Sequence, residues 1–380
     1  MNLKIMGKET VILRAKTVDL FKHKNLTRAQ QENSEKNLTE IRNGNFRLDS
    51  YPRRLVLELT NACNLNCIMC GRDGGDFKYN FLDIQCLYKL ESILNYVEEV
   101  TLFGWGEPTI HPKFKDILEF LNKHPVKKYF VTNGTTLAKI KEYLFDYKVD
   151  IMAVSFDGAT AKTNNMIRKN SNFNQIVSDL KSIVLQKKQG KINYPYINFV
   201  FTLMKKNLRE LPNMVNLAHS IGLEEVKAVY LTAFNEELKG EVLWGCVDEV
   251  RQVFLETIKR GDNLGVKIKL PYVQGEDIAG DKFHKDCYVG WRDFFIGSDG
   301  YIRPCQSIAK KMFHISKYEN FGEAWNSGEI VNFRSVVNDS KKMWEECKRC
   351  YQSSHANWNR ETSFLQSGQK FAPSWEGKRL

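Results

Sequence analysis

Residues 54–70 read RLVLELTNACNLNCIMC, an apolar run that leads directly into a loop with three cysteines. The branched and apolar residues of RLVLELT (54–60) are typical of a buried β-strand. Three residues separate Cys63 from Cys67, and two separate Cys67 from Cys70. A closed zinc site or an ordinary iron-sulfur cluster takes four protein ligands. Either a fourth ligand therefore comes from elsewhere in the chain, or one coordination position is left open.

The strand at 54–60 is the first of six strand-like runs that alternate with helical patterns. The six runs cover 54–60, 98–104, 127–133, 149–158, 196–204 and 225–233. Helical periodicity between them is clearest at 173–184 and 211–221. This alternation predicts an α/β fold with a parallel sheet and right-handed crossovers. Six units predict a partial (β/α)6 TIM-like barrel, short of the eight units of a full barrel.

Polar or glycine-rich stretches follow the first four predicted strands. The cysteine loop follows the first strand, GWGEP (104–108) the second, NGT (133–135) the third and SFDG (155–158) the fourth. In parallel α/β folds, functional residues gather at the C-terminal ends of the strands. We therefore expect these four stretches to converge on one rim.

Composition narrows the function classes. The chain has 380 residues, 42% of them hydrophobic, and a formal net charge of +11. Its lysines are spread along the chain without a compact basic block, which argues against a nucleic-acid partner. No apolar run approaches the ~18 residues of a membrane span, and the N-terminus lacks the core of a signal peptide. These features predict a cytoplasmic protein that does not bind a membrane, in which nine cysteines favour metal ligation over disulfides.

The pattern divides the chain into five consecutive parts. They are an N-terminal extension (1–50), the barrel core (51–235), a connecting segment (236–280), a small C-terminal auxiliary-cluster domain (281–352) and a tail (353–380). The extension contains a predicted helix around 27–43, which we expect to pack against the barrel.

A second group of cysteines lies in the C-terminal part. Cys287 and Cys305 end the stretch CYVGWRDFFIGSDGYIRPC, and Cys347 and Cys350 belong to WEECKRC. Four thiolates saturate either an iron-sulfur cluster or a structural zinc ribbon. Cys246, in LWGCVDE, has no cysteine partner nearby and is either a buried structural thiol or a functional one.

The loop CNLNCIMC (63–70) resembles the cluster motif of the radical S-adenosylmethionine (radical SAM) superfamily. The resemblance implies that Cys63, Cys67 and Cys70 bind three irons of a [4Fe-4S] cluster, whose fourth iron binds the amino and carboxylate groups of S-adenosylmethionine (SAM). Reduction then yields methionine and a 5′-deoxyadenosyl radical that abstracts a hydrogen atom from substrate. The resemblance thus implies that SAM occupies the coordination position that the three cysteines leave open. A zinc knuckle completed by a distant histidine is the alternative.

The same resemblance implies further cofactor contacts. Gly104, Gly106, Glu107 and Pro108 stand in a stretch similar to the family's GGEP, which meets the methionine ammonium. Met69 stands where the family often has an aromatic residue beside the adenine. The remaining implied SAM contacts, to the ribose, the carboxylate and the loop after the third strand, are Ser155, Asp157, Arg168 and Asn133.

The second cysteine group resembles the SPASM/twitch extension of radical SAM enzymes, together with AWNSGE (324–329) and Arg334. The resemblance implies one auxiliary [4Fe-4S] cluster held by Cys287, Cys305, Cys347 and Cys350. A four-cysteine zinc ribbon is the competing interpretation. His111, His284 and His355 are interpreted as packing or solvated residues.

The resemblance implies an enzyme that oxidises a small polar substrate, similar to a sugar or cyclitol, with an electron donor such as flavodoxin or ferredoxin. One alternative is an epimerase in which Cys246 donates a hydrogen atom, and another is a maturase that modifies a ribosomally made peptide. A non-enzymatic iron-sulfur or zinc protein is the alternative of a different class.

Overall fold

The computed structural model describes residues 26–72, 79–233, 236–243, 245–271, 273, 287–306, 308–339 and 341–351. The predicted tail at 353–380, His284 and His355 lie outside the described residues. The chain divides into two compact units, each built from several chain segments. The first unit comprises Met1–Ala62, Tyr79–Lys128 and Phe283–Phe364, and the second comprises Cys63–Lys78, Tyr129–Lys282 and Leu365–Leu380.

The strands of the described residues are β1 (Arg54–Leu57), β2 (Asn66–Cys67), β3 (Glu99–Leu102), β4 (Lys127–Thr132), β5 (Ile151–Ser155), β6 (Arg168–Lys169), β7 (Tyr196–Leu203), β8 (Glu225–Tyr230), β9 (Lys267–Lys269), β10 (Asp293–Ile296) and β11 (Ile302–Arg303). All six strands predicted from the sequence are present, each shorter than its predicted run. The fold is therefore a mixed α/β fold with mostly parallel strands, as predicted.

The helices are α1 (Arg28–Arg42), α2 (Ile84–Tyr88), α3 (Phe114–Asn122), α4 (Leu137–Asp146), α5 (Ala161–Ile167), α6 (Phe173–Gln189), α7 (Leu211–Ile221), α8 (Glu236–Lys239), α9 (Val247–Leu264), α10 (Val289–Arg292), α11 (Phe321–Trp325), α12 (Gly328–Val336) and α13 (Glu345–Tyr351). Short 3-10 turns occur at Glu91–Ile93, Pro108–Ile110, Leu208–Glu210 and Ile315–Lys317. Of the helices in the described ranges, none is long and apolar enough to cross a membrane.

In the first unit, β1 lies between β3 and β10 and runs parallel to both. Strand β11 pairs antiparallel with β10. Leu55 and Val56, which point to opposite faces of β1, are both buried, as expected for a strand covered on both faces. The end of β1 is thereby fixed on two sides immediately before the cysteine loop.

The N-terminal segment of the first unit packs on residues near the second cysteine group. The predicted helix at 27–43 is confirmed as α1. Asn37 Nδ2 donates to the carbonyl of Trp291 at 2.9 Å, and Trp291 Nε1 donates to the carbonyl of Asn45 at 2.6 Å. Trp325 Nε1 likewise donates to the carbonyl of Ser50 at 2.9 Å. Buried side-chain donors thus satisfy backbone carbonyls of an irregular segment.

In the second unit, β4, β5, β7, β8 and β9 pair in this order, all parallel. Both strongly periodic helices predicted from the sequence are present, as α6 and α7. Their apolar faces are buried, for example Leu180 on α6 and Met214 on α7, each with no exposed surface. This layer carries the loops that follow β4 and β5 to the cysteine loop.

Candidate functional site

The cysteine loop is anchored at its middle cysteine. Strand β2 pairs antiparallel with β6, which places Cys67 opposite Arg168. The backbone N–H of Ile68 donates to the carbonyl of Ile167 at 3.0 Å, and that of Cys70 donates to the carbonyl of Cys67 at 3.1 Å. Cys67 is buried, whereas Cys63 and Cys70 are partly exposed. The loop therefore presents two thiols at its ends around a buried third.

Each of the three sulfurs lies next to a different N–H donor. Asn133 Nδ2 lies 3.6 Å from Cys63 Sγ, and Arg168 Nη1 lies 3.8 Å from Cys67 Sγ. Arg72 Nε lies 3.4 Å from Cys70 Sγ, while Arg72 Nη2 donates to the carbonyl of Leu65 at 2.6 Å. Hydrogen bonds and positive charge favour the thiolate, which is the form that binds metal.

Burial is the largest influence on the Cys67 thiol and raises its pKa to about 11. The nearby Arg168 guanidinium acts in the opposite direction but is outweighed. The Cys67 thiol is therefore protonated at neutral pH when no metal is bound, and a metal centre must displace this proton on binding.

The donor set of the loop suits an iron-sulfur cluster, because thiolates are the ligands that such clusters take. Each of the three sulfurs has an N–H donor beside it. Cys63, Cys67 and Cys70 would hold three irons of a [4Fe-4S] cluster, and the fourth iron would have no protein ligand.

Asp157 and Arg168, predicted as ribose and carboxylate contacts of SAM, form a buried ion pair with each other. Arg168 Nε lies 2.7 Å from Asp157 Oδ2, and Asp157 Oδ1 accepts a hydrogen bond from the N–H of Thr202 at 2.6 Å. Burial disfavours the Arg168 cation, but the Asp157 carboxylate more than offsets this and raises the pKa of Arg168. In the structure this pair supports the loop through Cys67, and its contact with SAM stays a prediction.

The loop after β4 reaches the cysteine loop directly. Asn133 Nδ2 donates to Asn64 Oδ1 at 2.9 Å, and Asn64 Nδ2 donates to Thr135 Oγ1 at 2.7 Å. Ser155 ends β5 and is partly exposed. Met69 is partly buried against a core cluster that includes Ile167. The expected convergence of loops is thus observed for the cysteine loop and the loops after β4 and β5.

The segment GWGEP (104–108) follows β3 and lies against the residues that precede Cys63. The N–H of Gly106 donates to the carbonyl of Thr60 at 3.2 Å, and that of Glu107 donates to the carbonyl of Ala62 at 2.8 Å. A Cβ on Gly106 would lie 2.3 Å from both of these carbonyl oxygens, so only glycine fits there. The close approach of the carbonyls of Thr60 and Ala62 is therefore the packing reason for a glycine at position 106.

Glu107 is buried, and its carboxylate caps the 3-10 turn Pro108–Ile110. Oε1 accepts hydrogen bonds from the N–H of Thr109 at 3.2 Å and from Thr109 Oγ1 at 2.5 Å. The predicted contact between Glu107 and the methionine ammonium is not tested by this geometry. His111, which follows the turn, is buried with Nε2 3.0 Å from the carbonyl of Leu82, which agrees with its interpretation as a packing residue.

Sequence reasoning missed two residues of this region, Glu58 and Arg72. Glu58 is buried, and its carboxylate accepts hydrogen bonds from the N–H of Trp105 at 2.9 Å and from the N–H and Oγ of Ser298 at 3.0 Å each. An acidic residue inside the apolar run RLVLELT is the signal that could have revealed it. Nothing in the sequence marks Arg72, since it is one charge among many.

The second cysteine group is more deeply buried than the loop. Cys287, Cys305 and Cys347 are all buried. Asn338 brackets the backbone of Cys287, because Asn338 Oδ1 accepts from its N–H at 2.7 Å and Asn338 Nδ2 donates to its carbonyl at 3.2 Å. Cys350 lies in α13, and its side chain is outside the described set. Cys347 and Cys350 share α13, whereas Cys287 and Cys305 lie outside it, before α10 and after β11.

Cys246 is isolated from both groups in sequence and stands at the N-cap of α9. Its side chain is partly exposed, and its N–H donates to the carbonyl of Leu243 at 3.0 Å. The structure therefore does not bury Cys246 fully.

Comparison with known proteins matches two parts of the chain to family models. Residues 57–197 match the radical SAM superfamily, and residues 287–351 match the SPASM iron-sulfur cluster-binding domain.

Three relatives illustrate the range of similar proteins. A tungsten-containing aldehyde ferredoxin oxidoreductase cofactor-modifying protein from Pyrococcus furiosus is 24% identical, over 78% of this chain and 86% of its own length. Mycofactocin maturase MftC from Mycobacterium tuberculosis is 26% identical over 56% of this chain and 54% of its own length. An AdoMet-dependent heme synthase from Methanosarcina barkeri is 23% identical over 80% and 89%.

Solved structures show the same fold. Streptococcus suis SuiB bound to S-adenosylmethionine matches with a TM-score of 0.61 and 16% identity, over 82% of this chain and 74% of SuiB. SuiB bound to its precursor peptide SuiA matches with a TM-score of 0.59 and 16% identity over 81% and 71%. AnSMEcpe with bound AdoMet matches with a TM-score of 0.58 and 17% identity over 83% and 93%.

Proposed function

We propose that this chain, in which residues 57–197 match the radical SAM superfamily and residues 287–351 match the SPASM iron-sulfur cluster-binding domain, is a maturase-type enzyme that abstracts a hydrogen atom from its substrate. Its cofactors are SAM, the [4Fe-4S] cluster that binds SAM, and an auxiliary iron-sulfur cluster in the SPASM domain. When bound and reduced, the first cluster supplies the electron that cleaves SAM to methionine and the 5′-deoxyadenosyl radical.

The observation that carries this proposal is the set of three loop sulfurs, each next to its own donor. Cys63, Cys67 and Cys70 would hold three irons of the cluster. Asn133 and Arg72 would fix the two partly exposed thiolates by hydrogen bonds. A charged donor also offsets the negative charge that thiolates bring to a buried site.

The chain would bind SAM beside the segment 104–108. Gly106 brings the backbone of this segment against the carbonyls of Thr60 and Ala62, next to Cys63. A backbone without side chains can approach a ligand closely. Within this segment Glu107 would receive the methionine ammonium, and Met69 would lie beside the adenine, as the family resemblance implies.

The four cysteines of the second group would hold the auxiliary cluster. Removal of a hydrogen atom leaves a substrate radical, and oxidation to product requires that one further electron leave it. A cluster enclosed by Cys287, Cys305, Cys347 and Cys350 is suited to accept this electron, because it has no open position for substrate. An external carrier such as flavodoxin or ferredoxin would complete the electron flow.

A peptide is the substrate class that the relatives support, since MftC is named a maturase and SuiB is solved with a precursor peptide. A small polar, sugar- or cyclitol-like substrate is the second candidate. It is favoured by the N-terminal segment, where residues 26–53 contain the helix α1 and no strand of a leader-binding sheet.

Epimerisation is the alternative outcome at the substrate radical, with Cys246 returning a hydrogen atom. Its partial exposure at the N-cap of α9 allows this role. Cys246→Ala, assayed in deuterated buffer, decides the matter: an epimerase incorporates solvent deuterium only when the thiol is present. If the variant forms the same product at the same rate, oxidation is the reaction.

The test of the proposed function is anaerobic reconstitution, iron counting and a 5′-deoxyadenosine assay with dithionite and SAM. We expect about eight irons per chain for two [4Fe-4S] clusters, and nucleoside formation that depends on SAM. A chain that takes up iron but forms no 5′-deoxyadenosine would instead be a non-enzymatic iron-sulfur protein.

A further inference from the structure

Glu58 is a buried carboxylate at the end of the first strand. It follows β1 directly, and its N–H donates to the carbonyl of Ile296 on the neighbouring strand at 2.9 Å. Glu58 as a whole residue is only 5% exposed. A carboxylate that is removed from water in this way requires hydrogen bonds to both oxygens.

The hydrogen bonds to Glu58 come from two different loops of the first unit. Oε1 accepts from the N–H of Trp105, within the segment 104–108, at 2.9 Å. Oε2 accepts from the N–H and the Oγ of Ser298, in the turn between β10 and β11, at 3.0 Å each. This turn leads through β11 to Cys305. One carboxylate therefore links the segment assigned to SAM with the hairpin that carries an auxiliary-cluster cysteine.

Glu58 also fits tightly against the segment it binds. A Cβ on Gly104 would lie 2.3 Å from Glu58 Cγ, so the backbone of Gly104 lies directly on the side chain. The carbonyls of Thr60 and Ala62 hold the N–H groups of Gly106 and Glu107. Glu58 thus adds a side-chain carboxylate to the hydrogen bonds that fix the backbone of this segment.

We propose that Glu58 is a positioning residue that couples SAM binding to the conformation of the auxiliary-cluster hairpin. This inference rests on the proposed function, in which residues 104–108 bind SAM. A shift at Ser298 changes the orientation of the shared carboxylate and hence the position of Trp105 N–H. Because both oxygens are used, neither loop can move by itself without breaking a hydrogen bond to this carboxylate.

The test compares Glu58→Gln with Glu40→Gln. Glu40 is a matched control, because it is buried in the same unit and its carboxylate accepts from the N–H groups of Asp49 at 2.7 Å and Ser50 at 3.2 Å, and from the Ser50 hydroxyl. Glutamine can accept hydrogen bonds at only one of its two ends, so each variant loses one side of its cluster.

We expect Glu58→Gln to raise the dissociation constant for SAM about tenfold, the size expected for a lost charge-assisted hydrogen bond, with no change in iron content. Glu40→Gln should leave the constant within about twofold of the parent protein. The measurement is equilibrium dialysis of SAM against anaerobically reconstituted protein. Unchanged affinity in Glu58→Gln, or equal weakening in both variants, would overturn the inference.

Ser298→Ala tests the coupling itself and is mild enough to fold if Glu58→Gln does not. We expect it to weaken SAM binding about threefold, although Ser298 lies in the hairpin and not in the segment 104–108. Together the two substitutions should weaken binding by less than the product of their separate effects, because they share one carboxylate. Full multiplicativity, or normal binding by Ser298→Ala, contradicts the coupling. If the parent protein binds no SAM, the proposed function fails instead.

Discussion

The two cysteine groups differ in the spacing of their cysteines and in how deeply these cysteines are buried. The loop at 63–70 places three cysteines within eight positions, and two of them are partly exposed. The second group spreads four cysteines from 287 to 350, and the three whose side chains are described are all buried. The loop is therefore suited to a centre that takes an external ligand, and the second group to a centre that the protein closes off.

The two groups also differ in what holds them. The loop depends on side-chain donors, Asn133, Arg168 and Arg72, that point at its sulfurs. In the second group, Asn338 forms hydrogen bonds with the backbone N–H and carbonyl of Cys287. We infer that hydrogen bonds tune the loop at its sulfurs, whereas Asn338 fixes the chain that carries Cys287.

The sharpest test of this comparison is the change of Cys63, Cys67 and Cys70 together to Ala. We expect 5′-deoxyadenosine formation to fall to background and about four irons per chain to be lost, because one whole [4Fe-4S] cluster loses its ligands. Chromatographic quantification of the nucleoside and iron analysis measure both effects. Cys86→Ala, a buried cysteine of α2 outside both groups, should keep both clusters. Nucleoside formation by the triple variant would refute the assignment of the loop.

The reverse experiment changes Cys347 and Cys350 to Ala. About four irons should again be lost, but SAM cleavage by the loop cluster should continue, while turnover of substrate to oxidised product stops. Electron paramagnetic resonance of the reduced protein separates the two cluster signals. About one zinc per chain in the anaerobically purified parent protein would show that the second group is a ribbon after all.

A smaller effect is expected from the ion pair behind the loop. Asp157→Asn leaves the buried Arg168 cation without its carboxylate, which should lower the free energy of unfolding by about 3–5 kcal/mol. Arg209→Gln is the control, because the pair of Arg209 with Glu249 is exposed and worth about 1 kcal/mol or less. Urea denaturation of both variants measures the difference. Equal losses would mean that the Asp157–Arg168 pair contributes nothing special to the loop.

The smallest expected effect is a pH dependence in the hairpin of the second group. Burial alone would raise the pKa of Asp299, but hydrogen bonds from Arg303 at 2.9 Å and a 2.7 Å contact with Lys311 more than offset it and hold the pKa well below its usual range. A carboxyl group whose pKa is lower in the folded state stabilises the fold at pH values above its unfolded-state pKa of about 3.9. This contribution to stability is lost as the pH falls below that value.

Asp299→Asn should therefore flatten the stability profile below about pH 4 while lowering stability near neutral pH. Thermal unfolding across pH 2–7 provides the comparison, with Asp248→Asn, an exposed residue paired with Arg251, as control. A profile for Asp299→Asn that runs parallel to that of the parent protein would contradict the prediction.

Sequence reasoning succeeded where the signal is local. The six strands and the helices α1, α6 and α7 follow from runs and periodicities of a few residues, and the cysteine loop follows from spacing alone. The ion pair of Asp157 with Arg168 was not predicted, because it depends on how β6 pairs with β2. Likewise, Glu58 and Ser298 are separated by 240 positions, and no local pattern brings them together.

The position of β1 between β3 and β10 has a consequence for the synthesis of the protein. Arg54 and its partner Asp293 are 239 positions apart, so one edge of β1 has no native neighbour until most of the chain has been translated. At ordinary elongation rates of about 5–20 residues per second, this interval lasts on the order of 10–50 s. An unpaired apolar strand edge is a site of aggregation during that time. The yield of native protein should therefore depend on translation speed and on chaperones that cover this edge on the ribosome.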